Sequence, residues 1–264
     1  MNNIFSMKRF GLLLNKTFRE RPMQIFVFPG LMLTLVLILY VLIKALSGFD
    51  MAQRISFFVG LVGGSFFLAS FVFGYFSSNA SGSSFLSLPA SHFEKWLCGV
   101  LIAGIFYPVV FLIFYYGIDT GFVALYHNNL DPASPFYKQA YESVYRFDLD
   151  GVVARNVYIL FFIYTGAMLL GSLYFNKVSV IKTAVALCII CLVIFGTNWL
   201  FATMLFGNIE EASPFHGVAL LAGNDVGSIE LPADIAEICK YVFFYVMPAT
   251  FWILSFTRLR EKEF

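Results

Sequence analysis

Six runs of apolar residues, each about 20 residues long, limit what this chain can fold into. A helix rises ~1.5 Å per residue, so a run of this length crosses the ~30 Å hydrocarbon layer of a bilayer. A soluble protein of 264 residues would need far more surface charge than 12% charged residues provide. The sequence therefore predicts an all-α polytopic membrane protein with a single transmembrane domain. The predicted spans are approximately residues 24–46, 55–76, 95–118, 154–175, 180–204 and 236–256.

Lysine and arginine residues are distributed unequally between the segments that connect the predicted spans. If the N-terminus is cytoplasmic, 11 of them lie on the cytoplasmic side and 6 on the outer side. Cytoplasmic loops of membrane proteins carry an excess of these residues, which favours this orientation. We therefore expect a multi-pass protein of the cell (inner) membrane with both termini in the cytoplasm. Residues 119–153 and 205–235 are then outer loops, and residues 77–94 are the main cytoplasmic loop.

The segment before the first span, residues 3–20, is basic and amphipathic. Its apolar residues recur at intervals of three and four, and its basic residues lie largely elsewhere around the helix. This pattern predicts an interfacial helix along the cytoplasmic membrane surface. Arg21-Pro22 should end it, because the residue before a proline is pushed out of the helical conformation. The apolar residues are Met7, Phe10, Leu14 and Phe18.

The main cytoplasmic loop ends in a helix-start signal. Ser91-x-x-Glu94 has the form of a capping box, in which the serine and glutamate side chains each bond the other residue's backbone N–H. Leu88-Pro89 should end any short helix formed by residues 83–88. We expect a short helix or turn, then a corner at the proline, and then a third span whose first turn is capped. Residues 79–82 should be a flexible segment that precedes them (the flexible lead-in). These residues alone are compatible with a capped return into the membrane and with a docking surface.

Two features inside the spans are candidates for packing or for transport. Ser56, Gly60 and Gly64 form a small-x-x-x-small pattern, which allows close approach of a helix in the same subunit or at a homodimer seam. Asn198, beside Trp199 in the fifth span, needs a polar partner in lipid. That partner is either a neighbouring helix or a group along a substrate pathway.

Several kinds of chemistry lack their usual residues in this sequence. The chain has no G-x-x-x-x-G-K-[ST] loop for nucleotide phosphates, no H-E-x-x-H and no G-x-S-x-G. No ionisable residue is expected at mid-depth of a span, which argues against proton- or ion-coupled transport. The net charge of +1 gives no reason to expect a nucleic-acid partner. We therefore expect no catalytic residue, no metal site and no cofactor in this chain.

The segment after the second of the six spans reads Phe85-Leu86-Ser87-Leu88-Pro89-Ala90-Ser91-x-x-Glu94-Lys95. This pattern, at this place in the chain, resembles the permease subunits of ABC type-2 exporters. The basic N-terminal helix and the long outer segment before the sixth span agree with this resemblance. It implies a permease that pairs as a homodimer or with a similar permease. It also implies a separate cytoplasmic ABC ATPase that binds ATP and Mg and docks on a coupling helix between spans two and three. The implied coupling residues are Phe85, Leu88, Pro89, Ala90, Ser91, His92, Phe93, Glu94 and Lys95.

The resemblance further implies a transport pathway at the dimer interface, near spans two and five. The expected function is movement of an unidentified substrate, coupled to ATP hydrolysis in the partner chain. Two alternatives stay open: a membrane scaffold or signalling subunit that recruits an ATPase without transport, and an ion-coupled secondary carrier. The residues placed near the pathway or dimer seam are Gly60, Gly64, Phe67, Asn198 and Trp199.

Overall fold

Six long helices form the framework of the protein. The computed structural model describes residues 5–175, 177–207, 209–214, 217–222, 225–230 and 232–262. Within these residues, six helices are long and apolar enough to cross a bilayer, which confirms the predicted all-α polytopic fold. They are α2 (Met23–Ser47), α3 (Phe49–Val72), α5 (His92–Asn128), α7 (Val152–Tyr174), α8 (Ser179–Phe206) and α9 (Asp234–Arg260).

Three shorter helices connect or precede the spans. α1 (Met7–Glu20) is the predicted amphipathic helix, and it buries Leu13 and Thr17, one turn apart on the same face. α4 (Asn79–Leu86) lies between α3 and α5 and follows a 3-10 turn. α6 (Tyr137–Glu142) lies in the segment between α5 and α7. α1 and α4 both contact the beginning of α5, so they lie at the same end of the helix bundle.

Four of the long helices contain a turn with wider, π-type hydrogen bonding. In α2, α5 and α9 this turn is followed, after one further residue, by Pro29, Pro108 and Pro248 respectively. A proline has no N–H, and its ring clashes with the carbonyl four residues earlier. The wider turn accommodates both effects, so the spans continue through their prolines. In α3 the turn covers Val59–Gly63.

A single residue, Gly48, joins α2 to α3. Its φ of +88° lies in a region that residues with a side chain rarely adopt, so the tight corner requires glycine. The second span consequently starts at Phe49 and ends at Val72, rather than covering the predicted residues 55–76. The ammonium of Lys44 lies 4.4 Å from the centre of the Phe49 ring, which packs the two sides of the corner together.

The third span differs most from its predicted bounds. α5 continues to Asn128, whereas the sequence predicted a loop from residue 119. The added turns pack against α2: Phe122 stacks on Tyr40 with ring centroids 5.0 Å apart, and Val123 is buried. The predicted boundary is wrong because Asp119 is buried and hydrogen-bonded between helices instead of being solvated.

The segment 205–235, predicted as an outer loop, contains a three-stranded antiparallel sheet. β1 (Ile209–Ser213) pairs with β2 (Gly217–Ala222), and β2 pairs with β3 (Asp225–Glu230). The sequence analysis did not predict these strands. Strands of five or six residues give a much weaker signal than apolar runs of about 20 residues, and a short apolar run alone does not separate strand from helix.

The core lies between α3, α5 and α7. More than half of the residues in the most apolar parts of α3 and α7 are buried, against about a tenth or less in α8 and α9. Around Phe57 of α3, the rings of Phe111, Tyr115 and Tyr158 have their centroids 5.1–5.9 Å away. α8 and α9 expose most of their apolar side chains, which is typical of helices that contact lipid.

Candidate functional site

The segment between α3 and α5 is structured rather than loose. Ser78 caps α4: its backbone is extended, and its hydroxyl accepts a hydrogen bond from the N–H of Ser81 at 3.4 Å. The Ser81 hydroxyl donates in turn to the carbonyl of Tyr75. Residues 79–82 were expected to be a flexible lead-in, and this expectation is wrong. They are the first turn of a helix, because Ser78 satisfies a backbone group that its start leaves free.

The C-terminal end of α4 is attached to neighbouring elements. The buried Phe85 stacks on Tyr75 with ring centroids 4.4 Å apart and meets Phe76 edge-on at 5.8 Å. The ammonium of Lys95, on α5, donates to the carbonyl of Leu86, the last residue of α4, at 2.8 Å. A cation there satisfies a free carbonyl at the negative end of the helix dipole. Lys95 therefore links the end of α4 to the first turn of α5.

The capping box predicted at the start of α5 is confirmed. The Ser91 hydroxyl accepts from the N–H of Glu94 at 3.1 Å, and the Glu94 carboxylate accepts from the N–H of Ser91 at 2.8 Å. Just before it, the N–H of Ala90 donates to the carbonyl of Leu88 at 2.7 Å, across Pro89. The proline corner and the cap together fix where α5 begins.

Glu94 also has contacts that the sequence analysis did not identify. Its Oε1 atom accepts from the backbone N–H of Ser6 at 2.7 Å and from Nη2 of Arg9 at 3.0 Å. The Glu94 side chain is fully buried, whereas that of Arg9 is 37% exposed. One carboxylate oxygen thus holds the start of α5 and the other holds the start of α1. We call Ser6, Arg9 and Glu94 the α1–α5 junction.

A second contact joins the end of α1 to the end of α3. The guanidinium of Arg21 lies 3.4 Å from the centre of the Tyr75 ring and donates to the carbonyl of Phe71 at 3.4 Å and to Gln24 at 3.1 Å. Burial lowers the pKa of Arg21 and raises the pKa of Tyr75. The raised pKa of Tyr75 favours the neutral phenol, and a neutral ring is what a cation–π contact with the guanidinium needs.

The nine residues assigned to ATPase coupling are not all available to a partner. Phe85, Glu94 and Lys95 are buried, so their side chains are not exposed for direct contact with a partner in this conformation, and their part in ATPase coupling stays a prediction. Their side chains are used internally, to attach α4 and α1 to α5. Pro89 and His92 are exposed, and Leu88, Ala90, Ser91 and Phe93 are half-buried.

The exposed side of α4 is instead formed by serines. Ser83, Ser84 and Ser87 are exposed, and their spacing of three and four residues places them on one helix face. We call these three residues the serine face. The sequence analysis included them in the loop but did not select them, because small polar residues carry no distinctive chemical signal. Their exposure follows from the burial of Phe85 on the opposite side.

A shallow groove of about 210 Å³ lies beside the proline corner, between α1 and residues 88–90. Leu12, 65% exposed, and Pro89 contribute apolar surface to it. The basic side chains of Arg9 and Lys16 also line it. This arrangement suits an apolar side chain flanked by acidic groups.

Gly60 and Gly64 lie against α5 of the same chain. A Cβ atom on Gly60 would lie 2.2 Å from the Phe111 ring, and one on Gly64 would lie 1.7 Å from the Tyr107 hydroxyl oxygen. The Tyr107 hydroxyl also donates to the carbonyl of Gly60 at 2.7 Å. Of the two explanations that the sequence left open, these contacts support packing within one subunit. The face that bears the two glycines is occupied and is not free for a dimer seam.

Replacing Gly64 with alanine should lower the thermal unfolding temperature in detergent by several degrees. The added methyl group has no space beside Tyr107, and overpacking of this kind costs about 1–3 kcal/mol. Gly63→Ala is the matched control, because its nearest atom, on Val59, is 3.9 Å away. Equal unfolding temperatures for the two variants would contradict this account of the α3–α5 contact.

The described contacts of the other pathway candidates are not with these glycines. The amide of Asn198 donates to the carbonyl of Ala212 in β1 at 3.1 Å, so its polar partner is the sheet rather than a neighbouring span. Phe67 packs against Phe28 with ring centroids 6.1 Å apart and is 38% exposed. Trp199 is 56% exposed. The described contacts do not bring the five candidates together into one site.

A buried carboxylate near the opposite end of the bundle was missed. Asp119 Oδ1 accepts from the Tyr40 hydroxyl and from the Gln53 amide, each at 2.8 Å, and Oδ2 accepts from the N–H of Phe147 at 2.7 Å. Gln53 donates further to the carbonyl of Tyr145 at 2.8 Å. Asp119 thus ties α2, α3 and the segment before α7 to α5. The sequence placed it at the first position of a loop, where a charged residue needs no partner.

Comparisons with protein-family models, curated proteins and solved structures find no match to this chain. Its functional interpretation therefore rests on the residues and contacts described above. The most highly connected polar site among the described residues at the α4 end is the α1–α5 junction together with α4. Its hydrogen bonds and its ion pair join α1 and α4 to the beginning of α5.

Proposed function

We propose that this chain is the membrane-spanning permease subunit of an ATP-driven exporter of the ABC type-2 class. One observation carries the proposal: α4, the short helix between the second and third spans, is bonded to α5 through Lys95. The start of α5 is bonded in turn to α1 through Glu94. A force applied to α4 would therefore reach α5 and α1 together. This is the linkage that a permease driven by a separate ATPase requires.

The proposed orientation places both termini, α1 and α4 in the cytoplasm, in an inner membrane. ATP and Mg would be bound by the partner ATPase, and this chain would supply no catalytic group. Closure of the ATPase would displace α4, and the tilt of α5 against its neighbours would change access to a substrate pathway. The buried bonds of Lys95 and Glu94 favour rigid transmission, because a buried charged group costs much free energy once it loses its partner.

The surface proposed for docking differs from the one that the resemblance implied. The serine face, Pro89, His92 and the adjoining groove are exposed, while the buried residues act behind them as the transmission. Small serine side chains allow close approach of a partner backbone. The basic side chains in the groove favour an acidic, partly apolar contact surface on the ATPase. Permease pairing, with itself or a similar chain, is part of this proposal.

Ser84→Arg and Ser87→Arg test the proposal, because each places a bulky charge on the serine face without touching the junction. The chain is purified with the ATPase that accompanies it and reconstituted into liposomes. We expect both variants to retain the wild-type unfolding temperature. Their permease-dependent ATPase activity should be at least fivefold lower than that of the wild type. Lys177→Ala, in the exposed link between α7 and α8, is the control and should retain full activity.

Two results would replace this proposal. ATPase recruitment without vectorial movement of any solute, lipid or peptide would indicate a scaffold or signalling subunit. Movement that depends on an ion gradient and proceeds without ATP would indicate a secondary carrier. Full stimulated ATPase activity in a Ser84→Arg/Ser87→Arg double variant would exclude the serine face as the docking surface.

A further inference from the structure

An open groove of about 750 Å³ lies between α5, α7 and α9, three of the helices long and apolar enough to cross a bilayer. This volume is in the range of sites that hold small organic ligands, ~300–1,000 Å³. The α5 residues that line it, Val100, Gly104 and Ile105, are not the ones that contact Gly60 and Gly64 of α3, which are Tyr107 and Phe111. It is separate from α1 and α4 and does not depend on the proposed transport function.

The groove exists because α9 packs closely on its neighbours at only one end. The Trp252 ring fits against Gly104 of α5 and Gly166 of α7, and its N–H donates to the carbonyl of Phe162 at 3.0 Å. One turn earlier, Pro248 follows the π-type turn of α9. Before and within that turn most side chains of α9 are exposed, and Tyr245 is 62% exposed. Trp252 therefore closes one end of the groove, and the space beyond it stays open.

The walls are apolar and the entrance carries a cation. Arg155, Ile159 and Phe162 lie at spacings of four and three along α7, so they share the face that lines the groove. Ile105, from α5, is 51% exposed and faces the same space. Arg155 lies in the first turn of α7, about 10 Å along the helix from Phe162. If α7 spans the bilayer, Arg155 therefore lies near the lipid headgroups, and the apolar residues lie at the depth of the lipid acyl chains.

The Arg155 guanidinium forms no hydrogen bond or ion pair with any residue that the structure describes. Other arginines of the chain do have carboxylate partners: Arg9 with Glu94, Arg54 with Asp50, and Arg258 with Glu261. A guanidinium presents a planar set of donors that matches a phosphate group. Its position at the edge of an apolar groove makes a phosphate with attached hydrocarbon the complementary ligand.

We propose that this groove binds a phospholipid, with its acyl chain along Ile105, Ile159 and Phe162 and its phosphate on Arg155. The hydrocarbon replaces the mobile bulk lipid that would otherwise meet this face. The phosphate supplies the acceptor oxygens that Arg155 lacks among the described residues. In the proposed orientation the site opens to the outer leaflet, since Arg155 lies at the beginning of α7.

The test measures thermal unfolding of the delipidated chain in detergent while one probe is titrated at a time. Phosphatidylglycerol carries both groups, diacylglycerol carries the chains without phosphate, and glycerol phosphate carries the phosphate without chains. We expect phosphatidylglycerol to raise the unfolding temperature at concentrations at least tenfold below those that the other two need. Native mass spectrometry should count one retained phosphatidylglycerol per chain.

Two variants separate the parts of the site. Arg155→Gln should weaken phosphatidylglycerol binding about tenfold or more and leave diacylglycerol binding unchanged, because it removes a charge-assisted hydrogen bond. Ala249→Trp, which fills the groove from α9, should abolish retention of the lipid. Lys138→Gln removes an exposed cation of α6 and is the control for the loss of one positive charge.

Each other result overturns the proposal. Equal affinity for diacylglycerol and phosphatidylglycerol would remove the role of the phosphate. Glycerol phosphate binding as tightly as the lipid would make Arg155 a site for free phosphate compounds. Unchanged lipid retention in Ala249→Trp would place the lipid elsewhere. A change of oligomeric state in that variant would mean that a second copy of the chain covers the groove.

Discussion

Glu94→Ala should lower the thermal unfolding temperature by about 6–12 °C, the largest loss expected from a single change at the α4 end of the bundle. The substitution leaves Arg9 and the backbone N–H groups of Ser6 and Ser91 without their acceptor. Hydrogen bonds to a charged group contribute ~1.5–3 kcal/mol each, and their partial replacement by water leaves a net loss of about 3 kcal/mol. At ~2–4 °C per kcal/mol for a chain of this size, that loss gives the stated range. The measurement is an unfolding curve in detergent.

Release of α1 can be followed separately from global unfolding. Cys98 is buried, and its Sγ lies 3.8 Å from the Thr17 hydroxyl of α1, so detachment of α1 exposes the thiol. In a background with Cys188, Cys191 and Cys239 replaced by serine, Glu94→Ala should accelerate maleimide labelling of Cys98 well below the unfolding temperature.

Two control variants define what the Glu94 carboxylate contributes. Glu94→Gln retains an acceptor for the capping box and should lose less stability. Glu20→Ala, which removes only a half-exposed pair with Lys16, should change stability by less than ~1 kcal/mol and should leave Cys98 protected. Slow labelling of Cys98 in Glu94→Ala would show that α1 is held by its apolar face and not by the junction.

Asp119→Asn should cost about 3 kcal/mol although the side chain keeps its size. An asparagine has one oxygen, and the Asp119 carboxylate serves donors on both oxygens: Tyr40 and Gln53 on one, the Phe147 N–H on the other. Whichever way the amide is turned, its NH₂ group faces at least one donor. A buried donor that loses its acceptor costs ~1–3 kcal/mol, and here the lost charge adds to it. The unfolding temperature should fall by about 6–12 °C.

The same change should loosen the segment that Asp119 holds. Arg146 is exposed and lies next to Phe147, so trypsin cleavage after Arg146 reports local opening of this segment. Cleavage of the folded protein should be at least fivefold faster in Asp119→Asn. Asp50→Asn, which affects a largely exposed carboxylate paired with Arg54, is the control and should cleave at the wild-type rate. Equal cleavage rates in the two variants would refute the anchoring role of Asp119.

The fold was largely predictable because a membrane span is a property of local composition. A run of about 20 apolar residues has few alternatives to a transmembrane helix, and all six were found. The ends were less predictable. α5 extends to Asn128 because Phe122 and Val123 find partners on distant elements, and the strands of the 205–235 segment are too short to give a clear pattern.

The candidate site divides in the same way. The capping box was predicted because its two residues are three positions apart and satisfy each other. The bonds of Glu94 to Ser6 and Arg9 join residues more than 80 positions apart, and no local pattern signals them. Burial was not predicted either: Phe85 lies in a polar-looking loop of the sequence and Lys95 at the predicted start of the third span, yet both side chains are buried. The sequence located the segment, but only the packing shows which of its side chains are exposed and which are buried.

The one-residue corner at Gly48 bears on how the protein enters the membrane during synthesis. A single residue separates α2 from α3, so no free loop lies between them that could be translocated by itself. We therefore expect the two helices to enter the bilayer together as a helical hairpin. The positive φ of Gly48 makes glycine the residue suited to close that hairpin.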